Sequence, residues 1–162
     1  MKNVRAISKR SFDNLMKDSG LVDQVVSLKK NLYLISINFS SLWEDSPEEA
    51  IPYFKQDHEN VLRLFFDDVI KDTRVQHIAT KEWTTAKAFT KEDANKIIEF
   101  LNRIDKNSDD EIIVHCLMGK SRSVAVAHFI CEFFGENPSS IYVNEEMKPN
   151  PTVLNLLREA NI

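Results

Sequence analysis

The sequence predicts one α/β domain, residues 1–162, built on a central, mainly parallel sheet with helices on both faces. Two observations predict it. Stretches patterned as strands alternate along the chain with stretches of helical spacing, the order that winds a parallel sheet. No repeat, low-complexity tract or Pro/Gly-rich linker divides the chain, and 162 residues suit one domain whose core needs neither disulfide nor metal.

The elements follow in order. Ser11 to Asp18 reads as a short helix with Phe12, Leu15 and Met16 inward, and Gly20 stands where its C-terminal cap would be. Leu32 to Ile37 reads as a strand. Ser46 before Pro47-Glu48-Glu49 is a helix start with proline at the first position. Val61 to Phe66 reads as a second strand, ending in Asp67-Asp68. Thr90 with Asp93 resembles a capping box, opening a helix with Ala94, Ile97, Ile98, Leu101 and Ile104 on one face. Glu111 to His115 reads as a buried strand and Ser121 to Phe134 as an apolar helix closed by Gly135. A last helix runs from Thr152 to Ala160.

Composition narrows the function. Hydrophobic residues make up 43% and charged residues 28%, ordinary for a globular chain. A net charge of -4 argues against nucleic acid or an anionic membrane as partner, which would call for a basic face. Met1 to Arg10 mixes charge with few apolar residues, unlike a signal peptide, and the apolar runs are too short to span a bilayer. The only cysteines, Cys116 and Cys131, read as free thiols, so a reducing, cytoplasmic setting is expected.

The chemistry concentrates in His115-Cys116-Leu117-Met118-Gly119-Lys120-Ser121-Arg122-Ser123. The stretch lies between a strand end and a helix start. Successive backbone N–H groups of such a loop, Leu117 to Ser121, can form an anion nest, and the helix N-terminus adds partial positive charge. Free cysteine titrates near ~8.5 and a helix N-terminus lowers that, which suits Cys116 to act as a thiolate. Arg122 carries a planar fork that can hold two phosphate oxygens at once. Gly119 falls where the backbone must turn tightly.

His115-Cys116, five residues, then Arg122-Ser123 resembles the signature loop of the protein tyrosine and dual-specificity phosphatases. Chance occurrence of His-Cys-x5-Arg in a chain this long is on the order of one in several hundred. Lys148-Pro149-Asn150-Pro151 ahead of Leu154 and Leu157 resembles the final helix of the dual-specificity type. The resemblance spans Val61 to the C-terminus, and the chain length favours that compact type. It implies a phosphomonoesterase acting through a phosphocysteine on Cys116, with no metal or cofactor. It also implies that Arg122 and the loop from Leu117 to Ser121 bind the phosphate, that Ser123 hydrogen-bonds the departing thiolate, and that His115 orients the loop from the rear.

The family places its general acid just after the strand that Val61 to Phe66 would form. Asp68 is the first candidate, with Asp67 second and Asp72 third. The connection 69–89 is longer than the family usually has, which leaves room for Glu82. That segment also carries Arg74, His77, Lys81, Trp83 and Lys87, and is expected to form part of the substrate rim.

Other readings stand beside these. Cys116 alone could be a small buried hydrophobe. Cys131, on the apolar helix, reads as core, with a reversible disulfide to Cys116 as its alternative. His128 and Cys131 lie one helical turn apart but lack the paired spacing of structural zinc. His58 and His77 read as surface residues. Lys120 is either an exposed loop-top charge or a second cation beside the phosphate, as in the phosphoinositide phosphatases of the superfamily. Those carry another lysine directly after the cysteine, where this chain has Leu117. A phosphate-binding pseudophosphatase, a sulfur transferase and an arsenate reductase complete the alternatives. The expected partner is a phosphorylated protein or a small phosphoester.

Overall fold

The computed structural model describes residues 1–162, and its architecture is set by a central strand that is buried along almost its whole length. Strand β6 (Asp110–Cys116) buries Ile112, Ile113 and Val114 completely, so it must be covered on both faces. It pairs in parallel with β1 (Lys2–Ser8) on one side and β2 (Leu32–Asn38) on the other. Strand β3 (Val61–Phe65) joins the far side of β2, also in parallel, giving the order β1-β6-β2-β3.

Side chains on a strand alternate between faces, and the two cores follow that alternation. Ile113, Leu34 and Val61 face helix α1 (Lys9–Asp18), where they meet Phe12 and Met16. Ile112, Val114, Ile35, Ile37, Leu62 and Leu64 face the opposite layer. That layer holds α2 (Lys91–Asn102), α3 (Arg122–Phe134) and α4 (Pro151–Ala160).

Caps fix the helix ends. Ser8 Oγ accepts from the Ser11 N–H at 3.2 Å to start α1. At α2 the capping box is complete: Thr90 Oγ1 accepts from the Asp93 N–H (3.1 Å), and Asp93 Oδ2 accepts from the Thr90 N–H (3.0 Å). Gly135 closes α3 with φ +74°, a left-handed conformation that glycine adopts without strain.

Four places depart from the sequence expectation. The start signals at Ser46-Pro47 yield one 3₁₀ turn, Glu48–Ala50, because no apolar stripe follows to bury a longer helix. The charged N-terminus is strand β1. Its Lys2 ammonium is buried, paired with the Asp110 carboxylate and donating to the Ser108 carbonyl at 2.7 Å. Within 69–89, β4 (Thr73–Gln76) and β5 (Trp83–Ala86) form an antiparallel hairpin apart from the main sheet. His58 is not a free surface group either: its Nε2 lies 2.7 Å from Asp23 Oδ1 and its side chain is largely buried. No helix is long and apolar enough to cross a membrane.

Phe12 is fully buried where α1 meets the sheet. Phe12→Ala is expected to destabilise the fold by about 3–5 kcal/mol, read from the urea midpoint at unchanged m-value.

Candidate active site

Strand β6 ends at Cys116, and α3 begins at Arg122, so the five residues between them must reverse direction at the carboxyl edge of the sheet. This is the edge where parallel α/β sheets place their ligands. Gly119 makes the reversal with φ +71°. A Cβ there would sit 2.5 Å from the carbonyl carbon of Ile7, so β1 presses directly on the loop and only glycine fits.

The loop backbone is held from outside. The Leu117 carbonyl accepts from the Lys9 N–H (3.1 Å), that of Lys120 from the Lys148 N–H (2.8 Å) and that of Ser121 from the Asn150 N–H (3.2 Å). The peptide bonds are trans, so the N–H groups of Met118, Ser121 and Arg122 point the opposite way, into the loop. The Gly119 N–H donates to Cys116 Sγ at 3.3 Å. Ser123 Oγ lies 3.1 Å from the same sulfur. The result is a concave set of donors around one buried sulfur at the start of α3, an arrangement suited to a tetrahedral anion.

Arg122 is almost fully buried. One guanidinium nitrogen donates to the Phe66 carbonyl at 2.8 Å, and the Phe39 ring lies 5.3 Å from the guanidinium carbon. Its plane is therefore oriented before any ligand arrives. His115 supports the loop from behind: Nε2 is 2.6 Å from Ser36 Oγ, and Phe12 lies against the ring at 4.2 Å between centroids. Burial, reinforced by the charge on Lys9, pushes His115 down to about 3, so the ring is neutral in the folded chain.

The acid candidates separate by their partners. Asp67 is occupied: its carboxylate accepts from the Ser40 N–H (3.1 Å), the Ser40 hydroxyl and the Lys87 N–H (2.7 Å). Asp72 accepts from the Ala88 N–H at 2.9 Å. Glu82 is exposed at the hairpin turn. Asp68 is the one directed at the loop. Its Oδ1 accepts from Ser121 Oγ (2.8 Å) and from the Asn150 amide (2.9 Å), while Oδ2 has no protein partner. Ser121 is the N-cap residue of α3 yet makes no side-chain cap, because its hydroxyl serves Asp68. The first-turn N–H groups of α3 are left for an anion.

Asn150 was not among the sequence candidates. It is buried, its Oδ1 caps α4 through the Thr152 and Val153 N–H groups (3.0 and 3.3 Å), and its amide holds Asp68. The signal was half present: Asn before Pro151 reads as a cap, whereas the second bond depends on tertiary placement. Lys120 is ion-paired with Glu146. Burial pushes Cys131 up to about 11, with the charges of Glu136 and Glu132 adding to it.

The pH dependence of stability follows from His115. Below about 6.5 the unfolded histidine takes a proton that the folded one refuses until about 3. Stability therefore falls as pH drops through that window, by up to ~1.4 kcal/mol per pH unit from this group. His115→Asn is expected to flatten the slope of urea-derived stability between pH 6.5 and 4.

The family model described as protein-tyrosine phosphatase matches residues 45–145, more than half the chain, taking in Asp67, Asp68 and the whole loop from Cys116 to Arg122. No curated protein matches the chain.

Proposed function

The chain belongs to the protein-tyrosine phosphatase family, and from that premise we propose a phosphomonoesterase of the compact dual-specificity-like type that works through a phosphocysteine on Cys116. The observation that carries the reading is the sulfur at the centre of the donor loop, with Gly119 N–H at 3.3 Å and Ser123 Oγ at 3.1 Å.

In the first step the Cys116 thiolate attacks phosphorus in line. An S–P bond forms as the bond to the leaving oxygen breaks, and Asp68 protonates that oxygen through its free Oδ2. In the second step water attacks phosphorus, Asp68 takes its proton, and the thiolate leaves. Donation from Ser123 Oγ stabilises that thiolate. Arg122 and the inward N–H groups hold the equatorial oxygens through both steps, and their positions are fixed beforehand by Phe66, Lys9, Lys148 and Asn150. Neutral His115 holds the strand end without adding charge beneath the thiolate. Asp68 is preferred to Asp67 because Asp67 is tied to Ser40 and Lys87. The substrate is a phosphotyrosine or phosphoserine/threonine side chain. A cytoplasmic setting suits the reaction, which needs Cys116 reduced.

Cys116→Ser is expected to abolish hydrolysis of p-nitrophenyl phosphate while vanadate still binds, as followed by titration calorimetry. A phosphoenzyme burst in that variant would sink the cysteine mechanism. Asp68→Asn is expected to lower kcat for phenyl phosphate by about 10²–10⁴-fold. Its effect on an activated aryl phosphate, whose leaving group needs little protonation, should be much smaller. Equal losses on the two substrates would move the acid role elsewhere.

A further inference from the structure

Beside the loop lies a cavity of about 430 Å³ that the proposed chemistry does not use. Its walls are mainly apolar and come from four segments: Phe39, Trp43 and Ala50 after β2, Asp67 after β3, Val75 and Ala86 on the hairpin, and Leu117 on the loop itself. The size falls within the range of small-ligand sites. The walls are braced. Trp43 stacks on His77 at 4.4 Å between centroids, and His77 Nε2 lies 2.9 Å from Asp45 Oδ1. Asp67 joins two of the segments through Ser40 and Lys87. Two wall residues are shared with the phosphate cradle: Leu117 belongs to it, and Phe39 covers the Arg122 guanidinium. A group seated here is continuous with a phosphate seated there.

Past the cavity, and sharing Ser41, Thr84 and Thr85 with it, is a polar depression lined by Arg74 and Lys87. Neither cation has an ion-pair partner, although eleven ion pairs occur in the molecule. Arg74 stacks on Trp83 at 5.7 Å, which holds its charge in place. The order outward from Cys116 is phosphate cradle, apolar cavity, unpaired cations.

We propose that the hairpin and the 39–50 segment form a specificity subsite for phosphopeptides: a large aliphatic or aromatic side chain beside the phosphoresidue enters the cavity, and a carboxylate beyond it meets Arg74 and Lys87. This rests on the phosphatase reading and names its substrate class as acidic, apolar-flanked phosphopeptides. A free phosphomonoester would leave both features idle.

The test compares phosphopeptides that differ only beside the phosphoresidue, with Leu, Phe or Gly on either side and Glu or Lys further out. The control is p-nitrophenyl phosphate, which is too short to enter the subsite. The full chain is expected to favour Leu or Phe over Gly by at least about tenfold in kcat/KM. Thr84→Trp, which fills the cavity, should erase that preference and leave aryl phosphate turnover unchanged. Val75→Asp serves the same purpose if the larger side chain prevents folding. Arg74→Glu should erase the preference for Glu over Lys and keep the preference for Leu. No preference in the unmodified chain, or a preference that survives both cavity variants, overturns the subsite. Absence of aryl phosphate turnover would instead overturn the phosphatase reading. The same peptides, labelled and titrated onto Cys116→Ser by fluorescence polarisation, still read the subsite in that case.

Discussion

Parallel pairing on both sides of β6 is the constraint from which the rest follows. A strand with β1 and β2 as parallel neighbours cannot be reached by hairpins, so each connection must cross a face of the sheet. The crossing from β1 supplies α1 on one face, and the chain leaving β6 supplies α3 on the other, so Ile112, Ile113 and Val114 are buried from both sides. The same arrangement collects the ends of β1, β2, β3 and β6 at one edge. There Ser8, Asn38, Phe66 and Cys116 come together from distant parts of the chain. The site is what a largely buried central strand leaves at its carboxyl end.

Electrostatics refine that placement. Cations and donors gather at this edge, yet most are committed elsewhere before a ligand arrives: Lys9 to Asp13, Lys120 to Glu146, Arg122 to the Phe66 carbonyl. The His115 ring, buried and neutral, adds none. What remains uncommitted is narrow, namely the inward N–H groups of the loop, the remaining guanidinium donors of Arg122 and one oxygen of Asp68. Pre-orientation of this kind means that little reorganisation accompanies charge development at a bound phosphoryl group.

The sequence made the centre of the fold legible and left its borders dark, for physical reasons. Strand β6 and helices α2 and α3 carry continuous or periodic apolar patterns, and Thr90 with Asp93 marks a cap by residue type alone. Strand β1 was hidden because Lys2 is buried through an ion pair with Asp110, a contact between positions far apart in sequence. The hairpin was hidden because β4 is exposed throughout and β5 grades from exposed Trp83 to buried Ala86, leaving no alternation to read. Ser46-Pro47 announced a helix that has no face to bury. Cys116 and Arg122 stand out by spacing. The difference between Asp67 and Asp68 lies wholly in partners, Ser40 and Lys87 for one and Ser121 and Asn150 for the other, and no local pattern encodes it.

The position of Cys131 has a consequence for how the molecule would meet oxidants. It lies nine residues into α3 from Arg122, about 14 Å along the axis from the end that adjoins Cys116. A disulfide needs its α-carbons within ~7 Å, and Cys131 is moreover buried and pushed up to about 11. The fold therefore places no second cysteine within disulfide reach of Cys116. Peroxide reaching the loop would leave a sulfenic acid whose only source of a reducing thiol is outside the chain. On the cysteine mechanism proposed above, that would tie recovery from oxidation to the surrounding thiol pool and not to the fold.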